Sequence, residues 1–265
     1  DVDAINSSKE RLKHYNNVTI VNDSYTNIKK YLEKNNISEI TGGIVFDFGA
    51  STPQLTTPER GFSFMHEAKL DMRFNQSSDF SAYDIINGYK EAELVRIFSE
   101  YGEERFSKRI AKMIVEKRRL TKINTTKELV NIILEATPRI KSKIHPATRV
   151  FQALRIEVND EINNIKNTLN EVITLLSDNA ILSVVTFHSL EDRAVKQIFK
   201  KYSKERTEEP NEQYYHKALL ELINKKPLTA SAEEIKENPS SRSAKLRAAR
   251  KINNGQEKTS WQEVQ

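Results

Sequence analysis

The stretch Gly43-Ile44-Val45-Phe46-Asp47-Phe48-Gly49-Ala50-Ser51-Thr52-Pro53-Gln54 decides how this chain is read. A short apolar run ends in a carboxylate and passes into small, turn-forming residues. Bounded by glycine on both sides, the run predicts a fully buried strand. A carboxylate at the end of such a strand lies at the carboxyl edge of a sheet, where open α/β sheets bind their ligands. Gly49, Ser51 and Pro53 then give a loop whose backbone can come close to a ligand. An ordinary strand exit with a solvated Asp47 fits the same residues.

Working outward toward the start, Asp1-Val2-Asp3 reads as the tail of a strand and Ala4 to Tyr15 as a helix. Val18 to Val21 reads as a short strand and Thr26 to Leu32 as a helix. Strands alternating with helices predict βαβ units and a parallel sheet. Beyond Asp71 the pattern changes, and from Ala82 to Thr137 no convincing strand is found. Ala92, Leu94, Val95, Ile97 and Phe98 give one helical face. Phe106, Ile110, Ile114 and Val115 give a second, and Leu129, Ile132, Ile133 and Ala136 a third. Pro138 ends the last of these helices.

Thr148 to Leu176 is again helical, with a polar break at Asn159-Asp160. Ile181 to Phe187 predicts a second buried strand, ending at His188-Ser189, and a helix from Glu191 to Tyr202 follows. Leu219 to Ile223 reads as a short helix, and 226–230 and 243–251 as the last two strands. The expected organisation is an α/β sheet domain from 1–75 and 151–265, carrying an inserted all-helical domain at 76–150.

The 265 residues are 37% hydrophobic and 30% charged, enough apolar surface for a sizeable core. No apolar run approaches the roughly 18 residues of a membrane span. With no cysteine there is neither a disulfide framework nor a thiolate metal site, which fits a reducing, cytoplasmic setting. Lysine and arginine number 42 against 37 acidic residues, a net charge of +5, so the distribution matters more than the total.

That distribution is uneven. Arg105 to Lys122 holds eight basic residues against one acid, Glu116. Arg139 to Arg155 holds five with no acid, and His145 besides; Arg242 to Lys251, which includes Lys245 and Arg247, holds another five with no acid. One such run is an ordinary solvated face. Three together point to an anionic polymer, because each phosphate neutralised releases condensed counterions. Arg149 and Arg155 flank Phe151-Gln152, a pattern suited to phosphate and base contacts together. Phe62 and Phe64, spaced by two between turn residues, either stack on a base or form a small core of their own.

Phe187-His188-Ser189-Leu190-Glu191-Asp192-Arg193 gathers polar groups after a buried strand. A hydrolase triad is disfavoured, since adjacent His188 and Ser189 do not naturally face each other and no Gly-x-Ser-x-Gly elbow is present. Ser189 is the expected cap of the next helix. The scattered histidines show no metal-ligand spacing.

Several of these segments resemble, in collinear order, the ribosomal RNA small subunit methyltransferase H family. They are Asp47 to Leu55, Glu59 to Phe64, Leu70 to Arg73, Tyr101 to Phe106, His145 to Arg155, Phe187 to Arg193 and Asn238 to Arg247. The resemblance implies a Rossmann-like sheet with a helical insert. It also implies S-adenosylmethionine as methyl donor, and as target the N4 amine of a cytidine in the decoding region of 16S ribosomal RNA. Asp1 matches the acidic position that holds the donor's ribose, and Tyr25 a position beside its adenine. Asp47 and Gln54 match two further donor positions, Asp47 being also the candidate catalytic residue.

Arg149, Arg155, His145, Arg242, Lys245 and Arg247 are the expected RNA contacts. The family pattern opens with a strand and a glycine-rich donor loop ahead of Asp1. The chain therefore reads as N-terminally truncated, its first strand missing, and little methyl transfer is expected of it alone. A non-catalytic RNA-binding remnant and a methyltransferase of different substrate are the alternatives.

Overall fold

The structure is a computed structural model and describes residues 2–138, 144–204, 206–207 and 215–252. Helices α1 (Val2–Leu12) and α2 (Ile28–Lys34) precede strand β1 (Gly43–Asp47). Then follow α3 (Thr52–Thr56), α4 (Ala82–Gly88), α5 (Glu91–Glu100), α6 (Ser107–Leu120) and α7 (Thr126–Ala136). Next come α8 (Ala147–Val158), α9 (Glu161–Leu175), β2 (Ile181–Thr186) and α10 (Ser189–Tyr202). The chain closes with β3 (Arg206–Thr207), β4 (Tyr215–His216), β5 (Leu220–Leu222), β6 (Leu228–Thr229), α11 (Ala232–Glu237) and β7 (Lys245–Lys251). Two compact units result, one from residues 1–22 and 50–161, the other from 23–49 and 162–265.

The second unit is the sheet unit. β1 pairs parallel with β2, Gly43 opposite Ile181 through Asp47 opposite Val185. β2 pairs antiparallel with β7, Thr186 opposite Lys245. β5 and β6 lie against opposite halves of the far side of β7, both antiparallel. The sheet is therefore mixed and not parallel throughout. Its one parallel pair is joined by a long crossover, as parallel pairing demands, whereas the later strands return by short connections that reverse direction. Leu182, Val184 and Thr186 bury one face of β2, and α10 packs on β2, β5 and β7.

β1 is not fully buried. Successive side chains of a strand point to opposite faces: Phe46 is buried, while Val45 is 71% exposed. Three further expectations change. Val2 and Asp3 begin a helix and are not the end of a strand. Val18 to Val21 is irregular chain, because β-branched residues form a strand only when a neighbour pairs with them. Leu219 to Ile223 contains strand β5 and no helix.

The first unit is helical between 82 and 137 among the described residues, as the spacing predicts. Leu94, Ile97 and Phe98 of α5 meet Ile110 and Ile114 of α6, Leu129 and Ile133 of α7, and Val150 and Leu154 of α8 in one apolar core. Ala92, assigned to the first face, lies exposed in the first turn of α5. Leu70 and Met72 join this core although they precede the helices.

Met72 adopts φ of 62° and is held there from two sides. Its N–H donates to Arg60 O at 3.1 Å, and its carbonyl accepts from Asn159 Nδ2 at 2.8 Å. The Leu70-Asp71-Met72-Arg73 motif thus builds the loop itself. Arg73 grips Asp71 through Nε at 2.8 Å and Nη2 at 2.7 Å. Gly61 lets the loop close: at φ of 70°, a Cβ there would stand 2.4 Å from Lys69 O.

Phe98 is fully buried at the centre of the helical core. Phe98→Ala is expected to cost about 3–5 kcal/mol through lost transfer energy and an unfilled cavity. Urea denaturation followed by circular dichroism checks this; a loss below about 1 kcal/mol would mean that the site collapses around the gap.

Candidate functional site

The parallel register brings the carboxyl ends of β1 and β2 side by side in the sheet unit. Asp47 closes β1 opposite Val185, and β2 runs on through Phe187 into α10. Phe46 of β1 and Phe48 just past its end stack with centroids 5.3 Å apart. Tyr25 opens the 3-10 turn Tyr25–Asn27, whose first N–H groups are capped by Ser24. Its ring meets Phe46 at 6.1 Å and Phe48 at 5.2 Å and remains 37% exposed. Beyond Asp47 the chain passes close to β2's exit. Gly49 has φ of 115°, and a Cβ there would meet Phe187 Cδ2 at 3.1 Å.

The Phe187 to Asp192 segment is a helix start. Glu191 is wholly buried, and its Oε2 accepts from Phe187 N at 2.7 Å and His188 N at 3.2 Å. His188 Nδ1 accepts from Glu191 N at 3.4 Å, completing a reciprocal capping box. The cap of α10 is therefore His188 and not Ser189. The helix begins at Ser189, so the extended residue ahead of it takes that part. His188 Nε2 stands 3.1 Å from Glu191 Oε1.

These charges act on Asp47. Burial, and after it the nearby Glu191 carboxylate, push the Asp47 carboxyl above its ordinary value. One turn into α10, Asp192 behaves oppositely. Burial alone would raise it, but the Arg247 hydrogen bonds and charge, with Lys245, bring it below the usual carboxylate value. Glu191 was not singled out as a site residue. Its signal was the spacing from His188, a capping box at a strand exit.

Gln54 lies in the other unit, at the third position of α3. Its Oε1 accepts from Ser51 N at 2.9 Å and its N–H donates to Ser51 Oγ at 3.4 Å, so the residue shapes the helix start. Asp1 lies outside the described residues.

The expected RNA contacts divide by their partners. Arg155 donates to buried Glu161 through Nε at 2.7 Å and Nη2 at 2.8 Å. Arg247 is 6% exposed and clasps Asp192 through Nε at 2.7 Å and Nη2 at 3.2 Å, and Lys245 Nζ lies 3.6 Å from the same carboxylate. These three are committed inside the fold, where each guanidinium or ammonium offsets a carboxylate largely removed from water. Arg242 is exposed and Arg149 half-buried, with no ion pair to Arg149 among the described residues. His145 is exposed and stacks on Phe64 at 4.7 Å. In the run 105–122, Arg118 donates to Ile86 O and Tyr89 O, closing the end of α4. Phe62 stacks on Phe74 at 5.4 Å.

No described helix is long and apolar enough to cross a membrane. A model of the MraW methylase family matches residues 1–252. The ribosomal RNA small subunit methyltransferase H of Sulfurihydrogenibium sp. (strain YO3AOP1) is 49% identical over 252 residues, covering 94% of this chain and 81% of that protein. The protein of the same name from Clostridium botulinum (strain Loch Maree / Type A3) is 46% identical over 256 residues, covering 95% and 82%. That from Caldicellulosiruptor bescii is 46% identical over 255 residues, covering 95% and 83%.

The two aspartates predict opposite responses to neutralisation. The folded state holds the Asp47 proton more tightly than the unfolded state does. Ionised Asp47 therefore costs stability, a cost that grows as pH rises from the ordinary value of 3.8 through the raised one. Asp47→Asn should gain stability at pH 7, and the gain should fade near pH 3. Asp192 contributes stability above 3.8 that is lost as pH falls through its lowered value. Asp192→Asn should lose stability at pH 7 and match the parent in acid. Thermal melts of both variants from pH 3 to 7 check the signs.

Proposed function

The chain belongs to the MraW methylase family, and from that premise we propose that it methylates the N4 amine of a cytidine in the decoding region of 16S ribosomal RNA, with S-adenosylmethionine as donor. The observation that carries the reading is the corner at the end of β1. An exposed tyrosine rests there on two stacked phenylalanines, and the same strand end carries a carboxylate with a raised pKa and a glycine that lets backbone come close.

These residues suit such a donor. A purine can lie against Tyr25, and Asp47, which alternation turns to the other face of the strand from Phe46, offers an acceptor at the same strand end. When bound, the donor supplies an electrophilic methyl group on a sulfonium sulfur. Asp47 accepts a hydrogen bond from the cytosine amine, whose lone pair is otherwise drawn into the ring. Methylation would leave the amine with a surplus proton. A carboxylate whose pKa lies above the ordinary value takes up that proton more readily. Burial, and after it Glu191, keeps that pKa raised, and Glu191 also fixes the turn at Phe187. The target cytidine has to be unpaired to be methylated, and the basic surface of the helical unit serves RNA binding. A ribosomal substrate places the work in the cytoplasm.

The test is incubation of the protein, with the strand and glycine-rich loop of the family pattern restored ahead of Asp1, with labelled donor and small-subunit RNA, followed by nuclease digestion and mass spectrometry of the nucleosides. N4-methylcytidine is expected, and Asp47→Ala should abolish it or weaken donor binding measured by calorimetry. Donor binding and label incorporation both unchanged in Asp47→Ala would remove Asp47 from the site. Among the arginines, Arg149→Ala should lower the salt slope of RNA binding by about one unit. Arg155→Ala should leave that slope alone and lower stability, because it takes from buried Glu161 the guanidinium that clasps it.

A further inference from the structure

We infer that Phe64 and His145 form a stacking platform for one unpaired base of single-stranded RNA, with Arg149 serving a phosphate of the same strand. This rests on the reading of the protein as an RNA methylase and adds to it a binding subsite in the helical unit, apart from the Asp47 corner.

The two rings are nearly parallel, 4.7 Å apart at 14°. Phe64 is half-buried and meets core residue Phe151 edge-on at 5.5 Å and 77°, so the inner ring of the stack is fixed to the core of the unit. His145 is exposed: one of its faces lies on Phe64, and the rest of the ring is open to a ligand. The imidazole is held in place, since Nδ1 accepts from Ala147 N at 3.1 Å at the start of α8.

The loop bearing Phe64 is fastened as well. Thr126 Oγ1 donates to His66 O at 2.7 Å and accepts from Ala68 N at 3.0 Å, and Gly61 closes the other end against Lys69 O. Little ordering is left to be done on binding, which favours affinity.

Capping α8 explains the position of Nδ1 and nothing more. It does not call for an aromatic stack at the surface, nor for the exposed apolar residues next in sequence, Met65 at 75% and Ile144 at 52%. The charge nearby selects the occupant. Arg149, one helical turn along, has no carboxylate partner among the described residues, and the sequence from 139 to 155 carries no acid at all. An aromatic face next to unpartnered positive charge suits a nucleobase with its phosphate, since every base has a π-face and every nucleotide an anion. An apolar peptide would leave Arg149 unused.

The experiment uses the full chain and a set of short single-stranded RNAs of decoding-region sequence, each with one abasic position. For the parent, removal of one base should weaken binding about tenfold. In His145→Ala the intact RNA should bind about tenfold more weakly, and the same abasic position should cost nothing further. His145→Phe should behave as the parent, and neither change should alter the salt slope, whereas Arg149→Ala should lower it by about one unit. If His145→Ala keeps the full penalty at every abasic position, or if His145→Phe fails as alanine does, the platform is refuted. Methylation of ribosomal RNA by a His145→Ala protein at the parent rate and affinity would overturn the platform and leave the proposed function standing. A parent chain that binds no RNA would overturn both.

Discussion

The parallel pairing of β1 with β2 is the constraint on which the rest of the structure depends. It asks two short segments, far apart in sequence, to lie side by side in one register, Gly43 with Ile181 and Asp47 with Val185. A parallel pair cannot be joined by a hairpin, so everything between them has to leave the sheet and come back. That length is used to build a helical body with its own core. The register also decides the chemistry, because it sets the exit of one strand against the exit of the other. Asp47, Gly49, Phe187 and Glu191 come together for no reason of sequence proximity.

Two carboxylates near each other, Glu191 buried and Asp47 exposed, need different solutions, and here they have them. Glu191 lies inside the protein but receives two backbone N–H groups at a helix start, where partial positive charge collects. Asp47 has no such arrangement and is left with the loss of water around it and, after that, the repulsion of Glu191. The stability that Asp47 costs is of the kind often found at working sites, where a group is held away from the state it would choose in water. Asp192 shows the structural version, a carboxylate locked by an arginine from the last strand.

Much of this was readable beforehand, and the failures have physical causes. Four apolar residues between glycines made β1 visible, and helical spacing revealed α5 to α7. The exposure of Val45 was not readable, since burial depends on what covers a face and a strand's own residues do not encode its cover. Leu219 to Ile223 was mistaken for a helix because apolar residues at 219, 220, 222 and 223 fit either period over so short a run. The direction of β7 is likewise a property of its connections. The place of Asp47 at the end of β1 was legible from the apolar run before it. The arginines were not separable, because charge is written in the sequence and its partner is not. Arg155 finds Glu161 across a helix break, Arg247 of β7 finds Asp192 of α10, and Arg149 has no ion pair among the described residues.

Val45 has a further consequence, of a colloidal kind. It stands on the open face of β1, and among the described residues no strand pairs with β1 on the side away from β2. Unpaired backbone groups beside an exposed branched side chain form a template on which another extended chain can grow. Protein concentration, and not heat or denaturant, is then the variable that governs how long a preparation of this chain stays monodisperse. Its shelf life should shorten as samples are concentrated for structural work, while its melting temperature gives no warning.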